Sequence, residues 1–75
     1  MKRLIVKGIA GYADACERLY EATHSNFQRG QMLGYINALE AIGGRHAKKL
    51  QDKLNHTYNG WIDEMNKEAD HETQP

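Results

Sequence analysis

The chain has a single proline, Pro75, and it is the last residue. Proline removes an amide donor and clashes with the preceding helical turn, so nothing in the interior of this chain forcibly breaks a helix. There is one cysteine, Cys16. That excludes an internal disulfide and leaves no cysteine framework for a structural zinc. Net charge is also missing: ten basic and ten acidic residues cancel. A dedicated nucleic-acid binder normally carries a basic excess, so neutrality argues against one. No apolar run approaches the roughly 18 residues that would span a bilayer. The basic opening Met1-Lys2-Arg3 is followed by only three apolar residues, Leu4-Ile5-Val6. A secretory signal needs roughly 7–15 of them, so the expectation is a cytoplasmic protein, with which one unpaired thiol agrees.

What is present is a chain of 75 residues, 40% of them hydrophobic. That is one domain with one modest core, of a size that rarely supplies more than about 3–5 kcal/mol. Small domains supplement such a core with disulfides, a metal or oligomerisation. The first two are not available here, so the sequence points to self-association.

The pattern predicts an all-α fold: a three-helix up-down-up bundle, or a helical hairpin with an added N-terminal helix, completed by oligomerisation. Residues 1–69 form the domain, with helices over about 3–23, 26–42 and 45–69. In the first helix Ile5, Ile9, Tyr12, Cys16 and Leu19 recur at alternating steps of four and three, which is one helical stripe. Ser25-Asn26-Phe27-Gln28 has the form of a capping box, with Ser25 reaching forward and Gln28 reaching back. Gly43-Gly44 suits a left-handed helix end. Ala47, Leu50, Leu54, Tyr58, Trp61 and Met65 make the stripe of the third helix, which stays in phase across Asn59-Gly60 and is expected to continue through it. From Asp70 to Pro75 the polar sequence reads as a frayed acidic tail.

The second helix carries two apolar faces. Met32, Tyr35, Ile36, Leu39 and Ile42 share one. Phe27, Gly30, Gly34, Ala38 and Ala41 share the other, with small residues at four-residue spacing that lets backbones approach closely. Two interior glycines cost roughly 2 kcal/mol against alanine, so close packing is expected to offset them. Either the neighbouring helices cover both faces, or one face docks a partner. Phe27, Gly30, Gly34, Ala38 and Ala41 are therefore interface candidates, joined by Tyr20 and Ile62 at stripe edges.

The charges oppose the helix dipoles. Lys2, Arg3 and Lys7 open the first helix and Glu17 and Glu21 close it; Arg45, Lys48, Lys49 and Lys53 open the third and Asp63, Glu64 and Glu68 close it. The macrodipole favours the reverse arrangement. One end of an up-down-up bundle would then be basic and the other acidic. The corner Gly44, Arg45, His46, Lys48, Lys49 and Lys53 combines cations with free helix N–H groups, which suits a phosphate or an acidic protein. A solvated charged face is the plain alternative.

The remaining residues form no catalytic constellation. The four histidines show no paired metal spacing, and Glu64, Glu68 and His71 share a helical face without the further ligands that a di-metal bundle needs. Cys16 lies on an apolar stripe, where cysteine behaves as a small hydrophobe. No P-loop, dinucleotide fingerprint or Ser-His-Asp order occurs. The reading is of a non-enzyme without cofactor or metal. The second helix, glycine turn and basic third helix also trace a helix-turn-helix outline, a DNA-binding alternative opposed by helix length and neutrality.

The stretch from Gly30 to Leu39, Gly30-Gln31-Met32-Leu33-Gly34-Tyr35-Ile36-Asn37-Ala38-Leu39, followed by a glycine turn and another amphipathic helix, resembles small accessory proteins of bacteriophages and prophages. The resemblance implies a compact protein that binds a bacterial enzyme, regulator or defence component. The combined expectation is a homo-oligomer that binds and inhibits or regulates another protein. A phosphate-bearing small molecule or nucleotide at the Gly43–Lys49 corner is the alternative ligand.

Overall fold

The computed structural model describes the backbone from Lys2 to Thr73 and side chains from Lys2 to Lys67. Three helices follow one another: α1 (Lys2–Thr23), α2 (Asn26–Ile42) and α3 (Arg45–Thr73). They pack as a three-helix bundle 54 × 20 × 14 Å in extent. Near one end Val6 and Ala10 of α1 line a groove with Leu50 of α3; toward the other, the ring of Tyr20 stacks on Trp61. α1 and α3 therefore run in the same direction, with α2 returning between them.

Local chemistry sets the ends. α1 stops where His24 turns left-handed at φ 50°, with its N–H donating to Tyr20 O at 2.7 Å. Ser25 caps α2, its Oγ accepting from Phe27 N–H at 3.1 Å. The reciprocal half of the expected capping box does not form: Gln28 Oε1 is buried and has no hydrogen-bond partner among the described residues. Gly43 and Gly44, at φ 72° and 92°, make the second turn in a region that favours glycine. The Gly43 N–H closes α2 on Leu39 O at 3.0 Å. α3 runs uninterrupted through Asn59-Gly60 and stays helical to Thr73, beyond the expected end at residue 69. The expected frayed segment is thus helical from Asp70 to Thr73, while Gln74 and Pro75 lie outside the described residues.

The core consists of Val6, Ala13, Cys16 and Tyr20 from α1, Met32, Ile36 and Leu39 from α2, and Ala47, Leu54 and Trp61 from α3. Ile9, Tyr35, Ile42, Leu50 and Tyr58 pack partly buried against it. This corrects the first helix. Ile5, Tyr12 and Leu19, expected on the core stripe, are 49%, 68% and 50% exposed. The chain instead buries Val6, Ile9, Ala13, Cys16 and Tyr20, the neighbouring stripe one residue further on. Ala13 and Cys16 are small enough to let α1 settle against its neighbours, which a stripe centred on Tyr12 would hold off.

Candidate functional site

Parallel packing of α1 and α3 brings their basic N-terminal turns together. Between them lies a groove of about 660 Å³ lined by Arg3, Val6, Lys7, Ala10, His46, Lys49, Leu50 and Lys53. Val6, Ala10 and Leu50 form an apolar floor. Arg3, Lys7, His46, Lys49 and Lys53 are exposed and stand around it. The lining contains no acidic residue. Neither α1 nor α3 has an acidic residue in its first turn, so the positive ends of both dipoles add to the cations instead of being neutralised.

Half of the expected anion corner takes part. His46, Lys49 and Lys53 line the groove, whereas Gly44, Arg45 and Lys48 do not. Lys48 instead forms an exposed ion pair with Asp52, Nζ to Oδ1 3.1 Å. Arg3 and Lys7 of α1 complete the lining; the sequence places them at the shared basic end of the bundle but not in the anion corner. The signal for joining the two was the matching basic starts of two helices destined to lie parallel.

The expected interface face on α2 is open. Phe27 is 67% exposed, and Gly30, Gly34, Ala38 and Ala41 are also exposed. A methyl group built on Gly30 or Gly34 would meet nothing within 4 Å. The two neighbouring helices share the opposite face, so the small residues are not spent on packing within the chain. Leu33, on the third side of α2, is also exposed, at 41%. Ile62 is half-buried.

Tyr20 is a correction: it is 3% exposed and belongs to the core, not to an interface. Its ring stacks on Trp61 with centroids 3.9 Å apart and an interplanar angle of 22°. Arg29 Nη1 donates to its hydroxyl at 3.1 Å. That bond satisfies the phenol and leaves the aromatic body to the interior.

Cys16 is buried, with its thiol donating to Gln28 O at 3.2 Å. Burial pushes the thiol above its ordinary range, and the nearby Glu17 charge adds to this, while a backbone hydrogen bond with Met32 opposes both. Such a thiol is held protonated and is a poor nucleophile. Among the described residues no group of three or more His, Cys, Asp or Glu side chains could hold a metal. The Glu64, Glu68, His71 set falls partly outside the described side chains. No helix among the described residues is long and apolar enough to cross a membrane.

No family model matches the chain, and neither a curated protein nor a solved structure resembles it.

Proposed function

We propose that this chain is a non-enzymatic interaction protein that seats an acidic, amphipathic segment of another protein in the α1–α3 groove and thereby regulates or inhibits that partner. The carrying observation is the composition of the groove: five basic side chains around Val6, Ala10 and Leu50. A phosphate alone would use the cations and leave the apolar floor wet. An acidic helix with one apolar face satisfies both, in the manner of a helix laid into a groove. The resemblance to phage accessory proteins supports a bacterial protein as the partner, met in the cytoplasm.

The alternative occupant is a phosphate-bearing small molecule or nucleotide, favoured by the two helix N-termini at this end. The DNA-binding alternative is less well supported. A helix-turn-helix pair crosses at about 90–120°, whereas these helices lie along a 54 Å rod only 20 Å wide.

The test is titration of a labelled glutamate-rich amphipathic peptide, followed by anisotropy, beside a thermal-shift panel of nucleotides and inorganic phosphate. Saturable peptide binding that weakens with salt and is lost in Lys49→Glu and Lys53→Glu supports the proposal. Binding of phosphate or nucleotide alone transfers the groove to the small ligand. Binding of neither overturns both.

A further inference from the structure

The groove suits an acidic helix with one apolar stripe, and the chain itself ends α3 in one. Tyr20 stacks on Trp61, yet α1 stops three residues beyond Tyr20 whereas α3 runs twelve residues beyond Trp61. The last turns of α3 therefore overhang the bundle as an arm, by about 13 Å at 1.5 Å per residue. The apolar stripe of α3 continues onto it through Ile62, Met65 and Ala69, and Met65, at the level where α1 has ended, is 38% exposed. From Asp63 onward the sequence has five acidic residues, Asp63, Glu64, Glu68, Asp70 and Glu72, against one lysine, Lys67, and no arginine. By helical register Glu72, Glu68 and Asp70 lie about 50–110° from the centre of the stripe, with Glu68 and Asp70 on opposite flanks. Asp63 and Glu64 lie about 130° from it, and Lys67 and His71 fall behind it.

We propose, on the reading that the groove docks an acidic helix, that the arm of a second copy also occupies it, so that self-association competes with the foreign partner. Charge matches on both sides. Arg3 and Lys7 stand on one rim of the groove, and His46, Lys49 and Lys53 on the other. An arm laid with Met65 and Ala69 on the floor of Val6, Ala10 and Leu50 sets carboxylate positions toward each rim and turns Lys67 outward. Length matches as well. His46 to Lys53 and Met65 to Glu72 each advance seven residues, about 10 Å of helix.

The arm cannot reach the groove of its own copy. Both lie on α3, which is unbroken from Arg45 to Thr73, and Met65 is about 28 Å along the helix from His46. A reciprocal two-fold pair is also disfavoured. The arm's stripe lies about 160° round α3 from the groove-lining side chains, while Lys67 shares the face of Lys49. Two copies laid groove to groove would therefore set Lys67 of each against the cations of the other. What remains is a head-to-tail contact, in which the overhanging arm of one copy enters the groove of the next. Such a contact leaves a groove open at one end and an arm at the other, so it propagates into chains.

A contact of about two helical turns is small, so the chains should form reversibly and only at high concentration. Sedimentation velocity from micromolar to millimolar protein should show a sedimentation coefficient that keeps rising past the dimer and falls back with added salt. Lys49→Glu with Lys53→Glu spoils the groove, and Glu68→Lys with Asp70→Lys spoils the arm. Each double variant alone should stay monomeric, with helicity by circular dichroism unchanged. Mixed, the acidic arm of the first meets the intact groove of the second, and association should return. A monomer at every concentration, growth that halts at the dimer, or a mixture that stays monomeric would overturn the proposal. So would chains that persist in saturating glutamate-rich peptide, since the peptide should displace the arm. Peptide binding by a chain that never associates removes the self-association alone, whereas loss of both removes the groove reading with it.

Discussion

Tyr20 and Trp61 stack face to face at 3.9 Å, and this contact fastens the end of α1 to the middle of α3. Tyr20 is also held by Arg29 through its hydroxyl, so one side chain joins all three helices. Removing either ring from a well-packed core costs about 3–5 kcal/mol, comparable to the whole stability of a domain this size. Tyr20→Ala and Trp61→Ala should therefore be largely unfolded by far-ultraviolet circular dichroism at room temperature. Tyr20→Phe keeps the stack and loses the Arg29 bond, so it should stay folded and cost about 1 kcal/mol in urea denaturation.

The helical and the turn glycines should respond in opposite directions. Gly30 and Gly34 lie in helical backbone with open space at the missing methyl group. Gly30→Ala and Gly34→Ala should each stabilise the chain by up to about 1 kcal/mol. Gly43 and Gly44 occupy positive φ, where an added Cβ costs roughly 1–2 kcal/mol. Gly43→Ala and Gly44→Ala should lower the denaturation midpoint, and a uniform response across the four variants would refute this division.

The cationic groove should be a local burden on the empty protein. Arg3, Lys7, His46, Lys49 and Lys53 are gathered at two positive dipole ends. Relieving one such charge is worth a few tenths of a kcal/mol, so Lys49→Glu should raise Tm by about 2–4 °C at low ionic strength. The gain should shrink as salt screens the cluster. Wild-type Tm should itself climb with added salt.

Cys16 gives a pH dependence with a defined sign. Its folded thiol titrates above the ordinary value because burial disfavours the thiolate. Below the ordinary thiol range, near pH 8.5, both states are protonated and the thiol leaves stability unchanged. Above it the unfolded chain loses its proton first, so stability falls as pH rises through the folded value. Urea midpoints should decline in this alkaline window, and Cys16→Ala should flatten the decline. The native thiol should also react with a disulfide reagent far more slowly than the denatured one.

Helix number and both turns could be read from the chain because glycine, a serine cap and the absence of internal proline act locally. The α2 core face could be read as well, since Met32, Ile36 and Leu39 stand against a face made mainly of glycine and alanine. α1 was harder. It bears two apolar stripes offset by one residue, and Ile5-Ile9-Tyr12-Cys16-Leu19 zigzags between them. Which stripe turns inward depends on how closely α1 approaches its neighbours, a tertiary matter favouring small Ala13 over large Tyr12. Tyr20 was misplaced for the same reason, since the second stripe runs through it. Gln28 satisfies the capping-box pattern, yet its side chain is buried with Oε1 unpaired, so the motif was present without its hydrogen bond. The groove was half visible. The α3 cations His46, Lys49 and Lys53 fall within one short segment, whereas Arg3 and Lys7 join them only once α1 and α3 lie parallel.

Zero net charge conceals a large electric dipole. Basic residues gather at the start of α1 and α3, and Glu17, Glu21, Asp63 and Glu64 lie toward the other end of a rod 54 Å long. Electrostatic influence in physiological salt decays over about 8 Å, so the two ends are electrically independent of each other. A passing molecule meets a cation at one end and an anion at the other, never the neutral average. The rod will turn in the field of a charged surface before it touches, presenting a chosen end, and its encounters will be oriented ones.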